Sequence, residues 1–181
     1  GALFNDHKGN KSTAIGHNTL VTQDFATSTD TFNTAVGYAA GGGVTTGVQN
    51  TLIGSLAGDA ITTADNNTAL GYSALGLNTT GAGNTAIGRT ALENNTTASD
   101  NVAVGRATLS QNTTGANNTA VGSLALLVNT TAAQNTAVGG RSMEATTTGA
   151  DNTAIGWGSL VLNTTGASNT ALGRSSLAAN T

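Results

Sequence analysis

A five-residue motif recurs along the chain at a fixed interval. Its usual form is Asn-Thr-Ala, an aliphatic residue and Gly, and from Gly37 to Gly173 each motif glycine follows the previous one by 17 residues. An irregular copy ends at Gly16. A short fixed period is the sequence signature of a solenoid, in which each repeat buries its inner face against its neighbours. The sequence therefore predicts an all-β parallel solenoid of about ten 17-residue coils.

The residues before each motif glycine predict a strand with two different faces. Alternation places the Thr and the aliphatic residue on one side and the intervening Ala on the other. We expect the aliphatic residue to be buried and the Ala to point outward. The aliphatic positions are Ile15, Val36, Ile53, Leu70, Ile87, Val104, Val121, Val138, Ile155 and Leu172.

A second apolar position lies four residues after the motif glycine, and we interpret it as part of a second buried strand. It is occupied by Leu20, Leu75, Leu92, Leu109, Leu126, Met143, Leu160 and Leu177. An Asn-Thr-Thr segment follows, whose residue types favour turns through local hydrogen bonds. This segment begins at Asn78, Asn95, Asn112, Asn129 and Asn163. Each coil is then a flattened roll made of strand, tight glycine turn, strand and longer turn.

The motif asparagines are predicted to stack into a ladder. Parallel coils would place them about 4.8 Å apart, where side-chain amides can bond from one coil to the next. They are Asn33, Asn50, Asn67, Asn84, Asn101, Asn118, Asn135, Asn152 and Asn169.

The repeat is irregular at its beginning. Residues 1–32 form a predicted capping segment, or one that docks onto a preceding module, and residues 33–181 form the regular roll. Gly41 and Gly58 stand where Leu is expected, with Leu56 as the expected substitute, and Ile61 replaces a turn asparagine. The sequence stops inside a turn motif at 180–181, which indicates a longer fibre or head-to-tail continuation into another subunit.

A roll with one aliphatic residue per strand has little core, so we expect its small outward alanines to be covered by identical chains. Closed cyclic symmetry lets copies bury the same face around an axis. The candidate interface residues are Ala86, Ala103, Ala120, Ala137 and Ala154.

The Asn-Thr-Ala-Ile-Gly and Asn-Thr-Ala-Val-Gly copies over residues 12–181 resemble the head repeats of trimeric autotransporter adhesins, whose motif is close to Ser-Val-Ala-Ile-Gly. The 17-residue form is also similar to repeats of phage tail-fibre proteins. The resemblance implies a left-handed β-roll, a homotrimer and binding to surfaces. Thr replaces the family's Val in most copies.

Composition and motifs argue against several other functions. The chain has 8% charged residues, a net charge of -3 and no Cys. A mild acid without a basic patch is a poor nucleic-acid binder. His7 and His17 have no matching carboxylate spacing, and Asp100 and Asp151 do not recur in other coils. We therefore expect no enzyme activity, no metal site, no cofactor and no membrane insertion.

Large side chains collect directly after the motif glycine. Tyr, Trp and Arg are enriched where proteins bind partners, although an exposed turn also tolerates such residues without a function. The candidate binding residues are Tyr38, Tyr72, Arg89, Arg106, Trp157 and Arg174. They would contact a surface glycan or a protein receptor.

The sequence thus predicts a structural and adhesive segment of an extracellular fibre, on a cell surface or a virion appendage. A passive spacer and an ice-binding solenoid are the alternatives. Stacked Thr is typical of ice-binding solenoids, but here the motif Thr is expected to share its side with the buried aliphatic ladder, which argues against that function.

Overall fold

A computed structural model describes residues 1–179, so the predicted continuation of the chain at 180–181 lies outside the described residues. The described part consists of short strands and turns, with no helix. The strands are β1 (Gly9–Asn10), β2 (Thr13–Ile15), β3 (Thr29–Asp30), β4 (Thr34–Val36), β5 (Thr51–Ile53), β6 (Thr68–Leu70), β7 (Thr85–Ile87), β8 (Val102–Val104), β9 (Thr119–Val121), β10 (Thr136–Val138), β11 (Thr153–Ile155) and β12 (Thr170–Leu172).

The motif strands form one parallel sheet of ten strands, and the predicted β-solenoid of about ten turns is confirmed. Strand order follows chain order from β2 through β4 to β12. The register is one repeat per coil, so that Ala120 pairs with Ala137 and Val121 with Val138. Each coil therefore places equivalent residues directly above those of the coil before.

The motif glycine is required by backbone geometry. Gly122 has a φ of +132°, which side-chain-bearing residues rarely adopt. A Cβ atom on Gly122 would lie 2.6 Å from the backbone of Gly139 in the next coil. Both the conformation and the close stacking of coils thus explain why the repeat keeps Gly here.

The predicted second strand is wrong, although its Leu rank is buried. The segment after each glycine forms turns, with left-handed residues at its second and fourth positions, such as Thr90 (φ +55°) and Leu92 (φ +50°). A strand would point Ala91 and Leu92 to opposite faces, whereas this conformation buries both. Coils stay bonded here, because the Leu92 N–H donates to the Thr108 carbonyl at 3.0 Å. Leu177, in the last coil, is the exception at 49% exposed.

The predicted sidedness of the motif strand is also wrong. Thr and the aliphatic residue do share a face, but that face points outward and the Ala points into the coil. Ala120 is fully buried, whereas Val121 is half-buried and Leu172 is 77% exposed. The physical reason is the width of the interior. The space between the strand and the Leu rank holds one large side chain, which Leu126 supplies, so only the methyl group of an alanine fits on the strand opposite.

The predicted asparagine ladder is confirmed. The Asn118 backbone N–H donates to the Asn101 Oδ1 atom at 2.9 Å, and the Asn118 Nδ2 atom donates to the Ala132 carbonyl at 2.9 Å. The turn asparagines form a second buried ladder, since Asn95 Nδ2 donates to Asn78 Oδ1 at 2.9 Å. Because every buried amide needs partners, these ladders fix both register and width.

Residues 1–32 close the first end of the asparagine ladder. The buried Gln23 accepts a 2.8 Å hydrogen bond from Asn33 Nδ2 through its Oε1 atom. Leu3 packs against the core, and its N–H donates to the Thr19 carbonyl at 3.0 Å. Strand β1 pairs in parallel with β3 outside the main sheet. Docking of this segment onto a preceding module stays a prediction.

Candidate interaction surfaces

The six candidate binding residues lie on one edge of the solenoid, each in a different coil, and Ser55, Ser123 and Gly140 hold the same position in three other coils. We call the six, together with His17, the edge file: His17, Tyr38, Tyr72, Arg89, Arg106, Trp157 and Arg174. All are exposed. Backbone hydrogen bonds align them, since the Thr90 N–H donates to the Tyr72 carbonyl and the Ala107 N–H to the Arg89 carbonyl, each at 2.9 Å. Side chains in consecutive coils are therefore about 4.8 Å apart at their backbones.

Neighbouring side chains of the edge file contact one another. The rings of His17 and Tyr38 stack with centroids 5.8 Å apart and an interplanar angle of 3°. The Arg174 guanidinium lies over the Trp157 ring, 5.4 Å from its centroid, a distance suited to a cation–π interaction. A Cβ atom on Gly140 would lie 3.3 Å from Trp157 Cδ1, so the indole also rests against the side-chain-free position of the previous coil.

The arginines of the edge file have no acidic partner within 4.0 Å among residues 1–179. The ion pairs of that part of the chain lie elsewhere, at Lys11–Asp30, Arg141–Glu144 and the His7–Asp24 contact. Arg89 and Arg106 stand in consecutive coils, and Arg174 caps the Trp157 ring. The edge file therefore carries uncompensated positive charge on a chain whose net charge is -3.

A second surface is formed by the outward side of the ten-stranded sheet, and sequence reasoning missed it. We call it the strand face: the outward Thr and aliphatic residues of strands β4 to β12. Its members run in two parallel ranks and include no charged residue. Leu70 (44% exposed) and Ile155 (41%) illustrate how much apolar surface this face leaves open.

The predicted alanine interface does not exist as a surface. Ala86, Ala103, Ala120, Ala137 and Ala154 are each fully buried within their own chain, so they present nothing to a second subunit. Their methyl groups point at the Leu rank because only a small side chain fits opposite Leu.

Neither surface contains a cavity or a cluster of metal-ligating residues. Residues 1–179 enclose no pocket of ligand size, and they bring no three His, Asp or Glu side chains into a group that could hold a metal ion. The same residues include no helix long and apolar enough to cross a membrane.

No protein-family model matches the chain, and no curated protein or solved structure is significantly similar to it.

Proposed function

We propose that this protein is a structural and adhesive segment of an extracellular fibre, and that its edge file binds a surface glycan or protein receptor. The observation that carries the proposal is the alignment of exposed large side chains from seven of the ten coils along a single edge, held by backbone hydrogen bonds between coils. The role is mechanical and adhesive and needs no catalytic group.

The binding strength of such an edge comes from repetition. Single exposed contacts are weak, but simultaneous engagement of several sites can exceed one-site affinity by about 10²–10⁴ when the geometry fits. Truncating Trp157 alone should therefore weaken adhesion only slightly. Removing four members together should abolish it.

The test is a variant with Tyr72, Arg89, Arg106 and Trp157 all changed to Ala, assayed for adhesion to cells or immobilised glycans. Its matched control changes four exposed turn threonines on another edge, Thr80, Thr97, Thr114 and Thr131, to Ala. We expect adhesion to be lost in the first variant only, with both melting temperatures near that of the parent, because exposed turn residues contribute little to stability. Adhesion that survives in the first variant would leave the segment as a passive spacer.

We further propose that three copies assemble by burying their strand faces around a common axis. The support is the uncharged, largely apolar character of this face, since monomeric proteins rarely expose large contiguous apolar patches. The number three comes from the resemblance to trimeric adhesins. In a closed cyclic assembly each copy buries the same face around the axis.

Assembly is tested by placing charges on the strand face without entering the core. Val121→Asp and Val138→Asp change outward residues of the adjacent strands β9 and β10. Sedimentation equilibrium should then show a monomer, with a circular dichroism spectrum like that of the parent. A parent chain that is already monomeric at micromolar concentration would refute the assembly proposal.

An ice-binding function is the second candidate, and one observation favours it. The motif threonines do not share their side with a buried ladder: they lie on the outward face, in register, beside the aliphatic rank. The outward position of these threonines removes the argument against ice binding, which assumed that they share a side with buried residues. Such a face must be uncovered to work, so a monomeric parent is the sample to test. Thermal hysteresis that disappears in Thr119→Lys and Thr136→Lys would support this candidate, and no hysteresis in a monomeric parent would eliminate it.

A further inference from the structure

We infer that the edge file binds an acidic polysaccharide that lies along the stacking axis of the coils. This inference rests on the proposed adhesive function and names the ligand class of that same surface. It follows from the charge of the edge file, from the packing of its planar side chains and from the coil spacing.

Charge is the first argument. The edge file holds three of the chain's six Lys and Arg residues, namely Arg89, Arg106 and Arg174, and none has an acidic partner within 4.0 Å in residues 1–179. Two positions flank the motif glycine and the edge file along the chain: the aliphatic residue before the glycine and the residue two places after it. Neither position is acidic in any regular coil. The one arginine there, Arg141, is already paired with Glu144 at 2.6 Å. Because the rest of the chain is acidic, an anionic ligand has this edge as its complementary surface.

Packing is the second argument. Trp157 is held between the Arg174 guanidinium and the open position at Gly140, and Tyr38 is stacked on His17. Neighbouring contacts of this kind limit the rotamers of the exposed rings and so reduce the entropy lost when a ligand binds. Rigid aromatic rings offer apolar surface to the C–H groups of a sugar, while adjacent arginines can bind its carboxylates through paired hydrogen bonds.

Spacing is the third argument, and it separates sugars from nucleic-acid bases. Ser55 stands between Tyr38 and Tyr72, which are two coils apart and therefore separated by about 9.6 Å at their backbones. A flat base sandwiched between two rings needs only about 7 Å, twice the contact distance of carbon atoms. A pyranose ring instead presents its C–H face to one aromatic ring at a time, so a sugar chain that runs along the stacking axis needs no sandwich between Tyr38 and Tyr72. The Ser55 hydroxyl would face its hydroxyl groups.

The experiment compares three polymers on the full chain in its own assembly state. Polygalacturonate is the acidic probe, its fully methyl-esterified form is the neutral polymer with the same backbone, and an oligothymidylate represents nucleic acid. Binding is measured by biolayer interferometry at low and at physiological salt. We expect polygalacturonate to bind most tightly and to weaken as salt rises, because exposed charge pairs are screened.

Two charge variants identify the residues responsible. Arg89→Gln with Arg106→Gln should weaken polygalacturonate binding about tenfold, the sum of two exposed charge contacts. Arg141→Gln with Lys8→Gln removes the same number of charges outside the edge file and should leave the affinity unchanged. Neither variant changes a buried residue.

Failure of this inference is distinguishable from failure of the proposed function. Equal binding of the acidic and esterified polymers, tighter binding of the oligothymidylate, no binding of polygalacturonate, or equal loss in the two charge variants would each overturn the acidic-polysaccharide assignment. If the fourfold alanine variant still loses adhesion in those cases, the adhesive function of the edge file stands with a different ligand.

Discussion

Two parts of the solenoid fill the same interior in opposite ways. In the regular coils, a buried Ala on the strand faces a buried Leu on the turn segment, as Ala120 faces the rank of Leu109 and Leu126. In the third coil the large residue is on the strand, at Leu52, and the turn segments of the second and third coils carry Gly41 and Gly58 on either side of it. The predicted substitute, Leu56, is only half-buried.

The contacts show that these are alternative ways to fill one space. A Cβ atom on Gly41 would lie 2.8 Å from Leu52 Cδ1, and a Cβ atom on Gly58 would lie 2.8 Å from Leu52 Cδ2. The turn asparagine changes in the same coils, where Val44 and Ile61 are buried in its place. The core therefore has a fixed cross-section, and the sum of side-chain volumes across it is what the repeat preserves.

The largest expected effect comes from combining the two arrangements in one coil. Ala120→Leu adds a large side chain between Leu109 and Leu126, at the position that Leu52 occupies between two glycines. Overpacking a close-packed interior costs about 3 kcal/mol. Denaturant unfolding at fixed protein concentration measures this cost.

Val121→Leu is the matched control for that prediction, because it enlarges the next residue of the same strand on its outward side. Because Val121 also lies on the proposed subunit interface, both variants are compared as dilute monomers, where we expect Val121→Leu to change the stability by no more than about 0.5 kcal/mol. A Val121→Leu variant that is destabilised more than Ala120→Leu would show that the sidedness of the strand is the reverse of the one described.

A second experiment converts the early coils toward the regular arrangement. Leu52→Ala alone leaves a cavity, and Gly58→Leu alone collides with Leu52 and with Ile61 Cδ1. In an Ile61→Val background, which removes the Ile61 Cδ1 atom, the double variant restores the Ala and Leu pairing of later coils, so the two changes should rescue one another. We expect a favourable coupling of about 2 kcal/mol in a double-mutant cycle. Additive effects would mean that Leu52 and Gly58 do not share one space.

Sequence periodicity could predict the coil and its register but not the side of the strand that faces inward. Alternation correctly places Thr119 and Val121 on one face of the strand and Ala120 on the other. It does not say which face points inward, and the hydrophobicity of Val121 favours the wrong face. The deciding signal was volume: the only motif copy with Leu in place of Ala, at Leu52, is flanked by glycine in place of Leu at positions 41 and 58.

The turn segment was beyond prediction for a different reason. Left-handed conformations are costly for residues with a Cβ atom, so a repeated Leu with positive φ is not an expected choice. Leu109 (φ +51°) and Leu126 (φ +49°) adopt it because each N–H then bonds to the next coil. The alignment of the edge file was predictable from the period, whereas the contact of Arg174 with Trp157 depends on rotamers that a sequence does not specify.

The turn position offers a third, smaller test of the same comparison. The second asparagine ladder stops at Thr146, which leaves the buried Asn129 Oδ1 atom without a hydrogen-bond partner. Val44 and Ile61 leave no such oxygen without a partner, because the Gln23 Oε1 atom before them accepts from Asn33 and the Asn78 Oδ1 atom after them accepts from Asn95. Thr146→Asn should donate to Asn129 Oδ1 as Asn129 itself donates to Asn112 at 2.8 Å.

Thr146→Asn gives up the hydrogen bond from Thr146 Oγ1 to the Asn163 carbonyl but gains two, to Asn129 Oδ1 and to the Gly149 carbonyl, on the pattern by which Asn129 donates to Asn112 and Ala132. We expect a net stabilisation of about 1 kcal/mol, the usual value of one buried hydrogen bond. The control is Thr146→Val, which keeps the shape but removes the 2.9 Å hydrogen bond from Thr146 Oγ1 to the Asn163 carbonyl, and it should destabilise by a similar amount. Thermal unfolding of both variants measures the difference. A lower melting temperature for Thr146→Asn would mean that this position, unlike its counterparts at Asn95 and Asn112, cannot hold an amide.

The smallest effect concerns charge in the early coils. Burial raises the pKa of Asp59 above its ordinary value of 3.8, against a weaker opposing effect of its backbone hydrogen bond. A raised folded-state pKa means that the native state holds this proton more tightly than the unfolded chain, so stability falls as pH rises from about 3.8 through the folded-state pKa. Asp59→Asn keeps the hydrogen-bonding oxygen and removes the charge. It should unfold at a higher denaturant concentration than the parent at pH 7, by less than Thr146→Asn, and this advantage should vanish below pH 3.8. An advantage that grows on acidification would show that the Asp59 carboxylate stabilises the early coils instead.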